Sequence, residues 1–191
     1  MFRRRNDALE VLLVHPGGPF FRKKDDGVWT IPKGEVEEGE DLLSRARTEF
    51  EEEVGIAANG DWIDLGWVKQ KGGKTVYAWA FQGNLPDDFQ VCSNNFEMEW
   101  PPRSGKMQSF PEVDQAGFFS LKEATRKLKA AQTTFLDRLV EALKQGAGSE
   151  EQGARSREQG AKKRLMTSEQ LWVSSKLLCG SVVAGIVDPG R

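Results

Sequence analysis

The apolar residues of the chain change period several times, and each change marks an element. Leu9-Glu10-Val11-Leu12-Leu13-Val14-His15 is almost continuously apolar until Pro16-Gly17-Gly18-Pro19 closes it, which predicts a short buried strand. Val28-Trp29-Thr30-Ile31 predicts a second. Between Asp41 and Val54 the period becomes helical: Leu43, Ala46, Phe50 and Val54 share one face, and Gly55 supplies the stop. Residues 62–70 and 75–82 then flank Lys71-Gly72-Gly73-Lys74, a hairpin signal. In its second strand Val76, Ala78 and Ala80 alternate with Tyr77, Trp79 and Phe81, so both faces are apolar and both are expected to be covered.

Residues 83–115 break this order. They are rich in Pro, Asn and Asp and predict a long loop of the kind that bears function. Residues 116–119 predict the last strand, and Ser120-Leu121-Lys122-Glu123 is a capping box that opens a helix. Its apolar positions Leu121, Ala124, Leu128, Ala131, Phe135, Leu139 and Leu143 keep helical spacing to about Lys144. Beyond it, Glu151-Gln152-Gly153-Ala154 recurs as Glu158-Gln159-Gly160-Ala161 in a Gly-, Ser- and Gln-rich stretch, so a domain over residues 1–145 and a disordered appendage over 146–191 are expected.

The first helix bears chemistry as well as an apolar stripe. Glu49, Glu52 and Glu53 fall within one turn of each other, on a face roughly perpendicular to that stripe. Like charges at this spacing repel, and the helix gains nothing from them unless a cation lies between. Carboxylate oxygens on a rigid element are ligands for Mg²⁺ or Mn²⁺, ions that keep waters and also bind substrate phosphates. Glu51-Glu52-Glu53 alone would read as a solvated acidic face, so the surrounding spacing decides.

That spacing is Gly34, five residues, Glu40, then eight residues to Glu49, followed by Phe50, Glu51, Glu52-Glu53, Val54, Gly55 and Ile56. It closely resembles the Nudix box. One position departs, because the family has Arg immediately before the first helix glutamate and Thr48 stands there. The resemblance implies an α/β fold, an α/β/α sandwich around a mixed sheet, with the box as loop, helix, loop. It also implies a strand ahead of Leu9; only residues 1–5 remain to supply it, so a truncated first strand is expected.

In chemistry, the resemblance implies hydrolysis of a nucleoside diphosphate linked to another group, by an attacking water and a divalent metal. Glu49, Glu52 and Glu53 would ligate Mg²⁺ or Mn²⁺, Glu40 would support them, and the Gly34 carbonyl would add an oxygen. The family often draws its catalytic base from outside the box, which makes Glu97, Glu99 and Glu112 candidates. Trp29-x-Ile31-Pro32-Lys33-Gly34 resembles the diadenosine polyphosphate hydrolase and diphosphoinositol-phosphate groups of the family. Dinucleoside polyphosphates are therefore the leading substrates, ahead of nucleotide sugars and nucleoside triphosphates. Trp29 and Lys33 are substrate-binding candidates on this ground; Arg103 and Lys106 are added as cations for terminal phosphates, and Phe96 or Trp100 as a base-stacking surface. Arg45, four residues before Glu49, is expected to take over part of the orienting work of the missing arginine. The alternative that Thr48 raises is a module binding nucleotide or RNA ends without turnover; the intact carboxylate set favours the hydrolase.

Composition narrows the partners. With 191 residues, 38% apolar, 29% charged and net charge −2, the chain suits one domain of ordinary size plus an appendage. A slightly acidic balance disfavours broad nucleic-acid binding and leaves a small nucleotide as the partner. Cys92 and Cys179 are too few for a disulfide framework and lack zinc-site spacing, so a reducing, cytoplasmic setting is expected. The longest apolar candidate, residues 177–187, is interrupted by Gly180 and Gly185, so no membrane association is expected. His15, the only histidine, reads as structural, and no residue pattern fixes the oligomeric state.

Overall fold

The computed structural model describes residues 1–70 and 72–146. The appendage expected at 146–191 lies, past its first residue, outside these.

The architecture turns on one strand with two buried faces. In β2 (Ala8–Pro16) every residue from Val11 to His15 is buried. Because side chains alternate along a strand, Val11 and Leu13 enter one core while Leu12 and Val14 enter another. Each such side chain contributes about 1.5–3 kcal/mol on burial, and a strand can collect that on both faces only if something covers each. The second core is closed by helix α1 (Leu42–Val54) through Phe50 and Val54. The first is closed by Ala124 of helix α2 (Leu121–Lys127), by Leu128, and by Phe135, Leu136 and Leu139 of α3, the helical residues 134–146. The chain is thus an α/β fold with helices on both sides of the β2 sheet.

The short first strand expected at residues 1–5 is β1 (Phe2–Arg5), turned into β2 by Asn6 and Asp7 with φ of 50° and 62°. On its other edge β2 pairs with β7 (Val113–Ser120), also antiparallel. A hairpin follows the box helix, β3 (Ile63–Lys69) with β4 (Thr75–Ala80). Just past β4 the chain runs parallel to β1: Phe2 N–H donates to Phe81 O at 3.0 Å and Gly83 N–H to Phe2 O at 2.9 Å. The strand pairing is therefore mixed.

Four expectations are corrected. Residues 28–31 form no strand ladder; Thr30 makes one antiparallel bridge to Val14 and Trp29 one parallel bridge to Leu128. The outer face of β4 is covered only in part, since Tyr77 remains 46% exposed and Trp79 is half-buried, while Phe81 just past the strand is buried. The supposed loop at 83–115 contains a second hairpin, β5 (Asn95–Glu99) with β6 (Met107–Pro111), in which Phe96 pairs across to Phe110. Finally, the continuous helix expected to Lys144 breaks at Leu128, whose ψ of 148° is extended, and a 3₁₀ turn at Ala130–Gln132 separates α2 from α3.

The break has a cause outside the helix. Trp29 N–H donates to Lys127 O and Lys129 N–H to Trp29 O, each at 3.0 Å. Fully buried Gln132 accepts from Ile31 N–H at 3.1 Å and from Thr30 Oγ1 at 3.0 Å. The turn thus supplies partners to Trp29 and Ile31, while Thr30 exchanges both of its backbone bonds with Val14 of β2. Gln132→Met keeps the volume but orphans the Ile31 N–H and leaves Thr30 Oγ1 only Ile31 O, and should lower stability by about 2 kcal/mol in urea unfolding. A loss under about 0.5 kcal/mol would mean that residues 29–31 are held by other means.

Candidate active site

Helix α1 begins and ends where its caps dictate. Asp41 Oδ2 accepts from Ser44 N–H at 2.8 Å, and Gly55, at φ 84°, donates to Glu51 O at 2.9 Å. Between these ends Glu49 and Glu53 lie one turn apart, and both are buried at 7% exposure. Glu52 stays open, with its side chain 41% exposed.

Buried carboxylates require partners, and the preceding loop supplies them. Lys33 N–H donates to Glu53 Oε2 at 2.9 Å. Gly34 lies so close to Glu49 that a Cβ there would fall within the carboxyl group, which is why this position needs glycine. Arg45, on the same helix face, ion-pairs with Glu49 Oε1, approaches Glu52 Oε2 at 3.7 Å and donates from Nε to Glu35 O at 3.2 Å. The i, i+4 reach expected of Arg45 is what the structure contains. Thr48 instead turns its hydroxyl to Ser44 O of its own helix, at 3.2 Å.

Electrostatics follow from this crowding. Burial pushes Glu53 up to about 7 against the pull of Lys33, with the charges of Glu49 and Glu112 adding to the rise. Glu49 is also raised, first by burial; Arg45 opposes this, while Glu52 and Glu112 add to it. Glu112 is the member that the structure brings in from outside the box. Its N–H donates to Asn94 O at 2.8 Å and its carbonyl accepts from Gly17 N–H at 2.9 Å, which fix it at the foot of the β5–β6 hairpin.

The other expected site residues scatter. Glu40 accepts from Glu37 N–H at 2.8 Å within the box loop, so its contact is with that loop. Glu97 is exposed on β5; Glu99 caps the hairpin tip through Gly105 N–H at 2.6 Å. Arg103 and Lys106 are exposed at that tip. Phe96 is half-buried against Phe110, and Trp100 stands edge-on to Phe20 with centroids 5.3 Å apart. Trp29 is in the core, 4% exposed, its indole N–H given to Asp25 Oδ1 at 2.8 Å. Gln132 and Lys129, which anchor the approach to the box, went unnoticed because the helical spacing of residues 121–143 conceals the turn they occupy.

Among the described residues, no set of three or more His, Cys, Asp or Glu side chains stands in metal-binding geometry. The cation among the box carboxylates is the Arg45 guanidinium. The donor set nevertheless fits Mg²⁺ or Mn²⁺: hard carboxylate oxygens, with Glu49 and Glu53 both raised by burial beside like charges that a cation would relieve. No helix among the described residues is long and apolar enough to cross a membrane.

The chain is similar to known proteins. Nudix hydrolase 7 of Arabidopsis thaliana is 46% identical over 59 residues, which is 31% of this chain and 20% of that protein. The asymmetrical bis(5'-nucleosyl)-tetraphosphatase of Rattus norvegicus is 37% identical over 82 residues, 39% of this chain and 50% of that protein. The chain thus spans between one fifth and one half of the length of these curated relatives. A solved Ap4A hydrolase from C. elegans, in a binary complex, shares the fold with TM-score 0.53 at 22% identity, over 74% of this chain and 92% of that one. The NUDIX domain family matches residues 1–142, and by that match this chain belongs to the Nudix family.

Proposed function

We propose that the chain is a divalent-metal-dependent hydrolase of a diphosphate linkage in a nucleoside diphosphate derivative, with dinucleoside polyphosphates as its leading substrates. The observation that supports it most is the pair Glu49 and Glu53, buried one turn apart against Lys33 and Gly34. Structural carboxylates are seldom buried together; a phosphate-binding cation gives such a pair its use. The tetraphosphatase name of the rat relative favours dinucleoside polyphosphates, and the Trp29-to-Gly34 wording agrees. Residues 1–145 would form the catalytic domain, in a cytoplasmic setting.

In this reading Glu49, Glu52 and Glu53, with the Gly34 carbonyl, hold Mg²⁺ or Mn²⁺. When bound, the metal neutralises phosphate charge and favours ionisation of the attacking water. Glu112, solvent-exposed yet beside the box carboxylates, accepts the proton of that water. Lys33 fixes Glu53 through its backbone and offers its ammonium to a phosphate. Arg45 orients Glu49 and Glu52.

A panel of nucleotides incubated with Mg²⁺ or Mn²⁺, with products identified by mass, tests the proposal. Turnover of a diphosphate-linked compound is expected; binding without turnover of any would favour the nucleotide-binding module. Glu52→Gln and Glu53→Gln should each lower kcat/KM at least roughly 10²-fold with the fold intact. Retention of activity within about threefold by both would remove the metal assignment.

The raised Glu53 has a consequence for stability. The folded chain binds its proton more tightly than the unfolded one, so between the ordinary value of 4.5 and about 7 stability must fall as pH rises. In EDTA the loss should total about 3 kcal/mol across that window, at 1.36 kcal/mol per unit. Glu53→Gln should flatten the slope of unfolding free energy against pH; an unchanged slope would contradict the assignment.

Thr48 and Arg45 give a further test. If Arg45 performs the orienting work of the absent arginine, Thr48→Arg should raise kcat/KM. Arg45→Ala should then lower it more in the native background than beside Thr48→Arg. Strictly additive effects would show that the two positions do not substitute for each other.

A further inference from the structure

The loop between β2 and the box carries a run of cations whose acidic neighbours are engaged elsewhere. Arg22, Lys23 and Lys24 are exposed and, among the described residues, make no ion pair. The two acids that follow them in sequence are drawn to the end of α2, Asp25 by Lys127 and Asp26 by Arg126, the latter at 3.2 Å. The loop is also fixed in place. Lys24 N–H donates to Phe21 O at 2.7 Å, and Lys24 O is bonded to His15 Nε2 at 2.9 Å. Asp25 accepts the Trp29 indole N–H at 2.8 Å, and Gly27 N–H donates to Arg126 O at 3.1 Å.

Beside this loop lies a cleft of about 510 Å³. Arg22, Lys23, Lys24 and Lys127 line it, against a single carboxylate, that of Asp25. Lys127 is 9% exposed, and its ammonium stands 5.1 Å from the ring centroids of Trp29 and of Phe119, which line the cleft as well. The cleft lies across the sheet from the box. Side chains alternate along β2, so His15, edge-on to Trp29, shares the face of Val11 and Leu13 that α2 closes, whereas α1 with its carboxylates covers Leu12 and Val14. None of Lys33, Glu49, Glu53 or Glu112 lines the cleft.

Four cations around one concave surface repel each other, and the one carboxylate is taken by Lys127. An anion among them meets several charged donors at once, and because the loop is already pinned it orders little on binding. A monoanion would leave most of that charge uncompensated, whereas a phosphate dianion matches it. The volume falls within the roughly 300–1,000 Å³ of small-molecule sites. We propose that this cleft is a second ligand site, separate from the box, that takes a small molecule through its phosphate dianion. The proposal stands independently of the hydrolase reading. Inorganic phosphate and ribose 5-phosphate are the probes, one for the free anion and one for a phosphate ester, each titrated calorimetrically into the full chain at pH 7.5 in about 0.1 M salt, which screens diffuse attraction. Metal-free buffer keeps a cation from carrying either anion to the box carboxylates.

Saturable binding of at least one probe is expected, with Kd of about 1 mM or tighter. Arg22→Gln combined with Lys23→Gln, both at exposed positions, should weaken it at least about tenfold through lost charge-assisted contacts. Lys122→Gln combined with Lys144→Gln removes the same charge from exposed positions on α2 and α3 that do not line the cleft, and should change the affinity less than about twofold. Tighter binding of the ester would show that the cleft also reads the body of the molecule, and equal or tighter binding of phosphate that it takes the free anion; both uphold the site. No saturable binding of either probe up to about 10 mM, affinity unchanged by Arg22→Gln with Lys23→Gln, or equal weakening by the Lys122 and Lys144 pair would overturn it.

Discussion

Burying two carboxylates one helical turn apart is the constraint on which this molecule depends. Each loses hydration, and each raises the cost of ionising the other. Glu49 and Glu53 meet that cost through a few contacts: the Lys33 N–H, the Arg45 guanidinium and the close approach of Gly34. Those contacts demand a fixed path for residues 29–34, which form no strand of their own. The path is held by Val14 on one side and by Lys127, Lys129 and Gln132 on the other. The doubly buried β2 strand and the broken α2–α3 helix are therefore parts of one support for the box.

Much of this was legible because local chemistry and global structure agree. Asp41 and Gly55 announce the limits of α1, Ser120 and Glu123 the start of α2, and the Gly34-to-Ile56 spacing the carboxylate face. The contact of Arg45 with Glu49 follows from helical spacing alone. What was not legible depends on distant partners. Leu128 keeps the period of a helix, yet its backbone turns away to meet Trp29, a residue 99 positions earlier. Tyr77 and Trp79 share a strand face whose covering the alternation cannot reveal. Glu97 and Glu112 look alike in sequence and both are exposed, and only the place of Glu112 at the foot of the β5–β6 hairpin brings its charge to the box.

Thr48 gains meaning in this setting. Its hydroxyl is engaged by Ser44 O, while the cationic contact to the carboxylates comes from Arg45, one turn before Glu49. Arg45 and position 48 lie on one face of the helix, so a charge at either can reach the same carboxylates.

The central claim is that the buried pair belongs to a divalent-cation site, and binding of Mn²⁺ itself tests it most directly. Free Mn²⁺ can be followed by electron paramagnetic resonance as it is titrated into the full chain and into Glu53→Gln at pH 7.5. The account predicts saturable binding by the native chain, weakened at least about tenfold by Glu53→Gln, because a carboxylate ligand has been lost with little change in volume. Equal affinity in both, or no binding by the native chain, would contradict it.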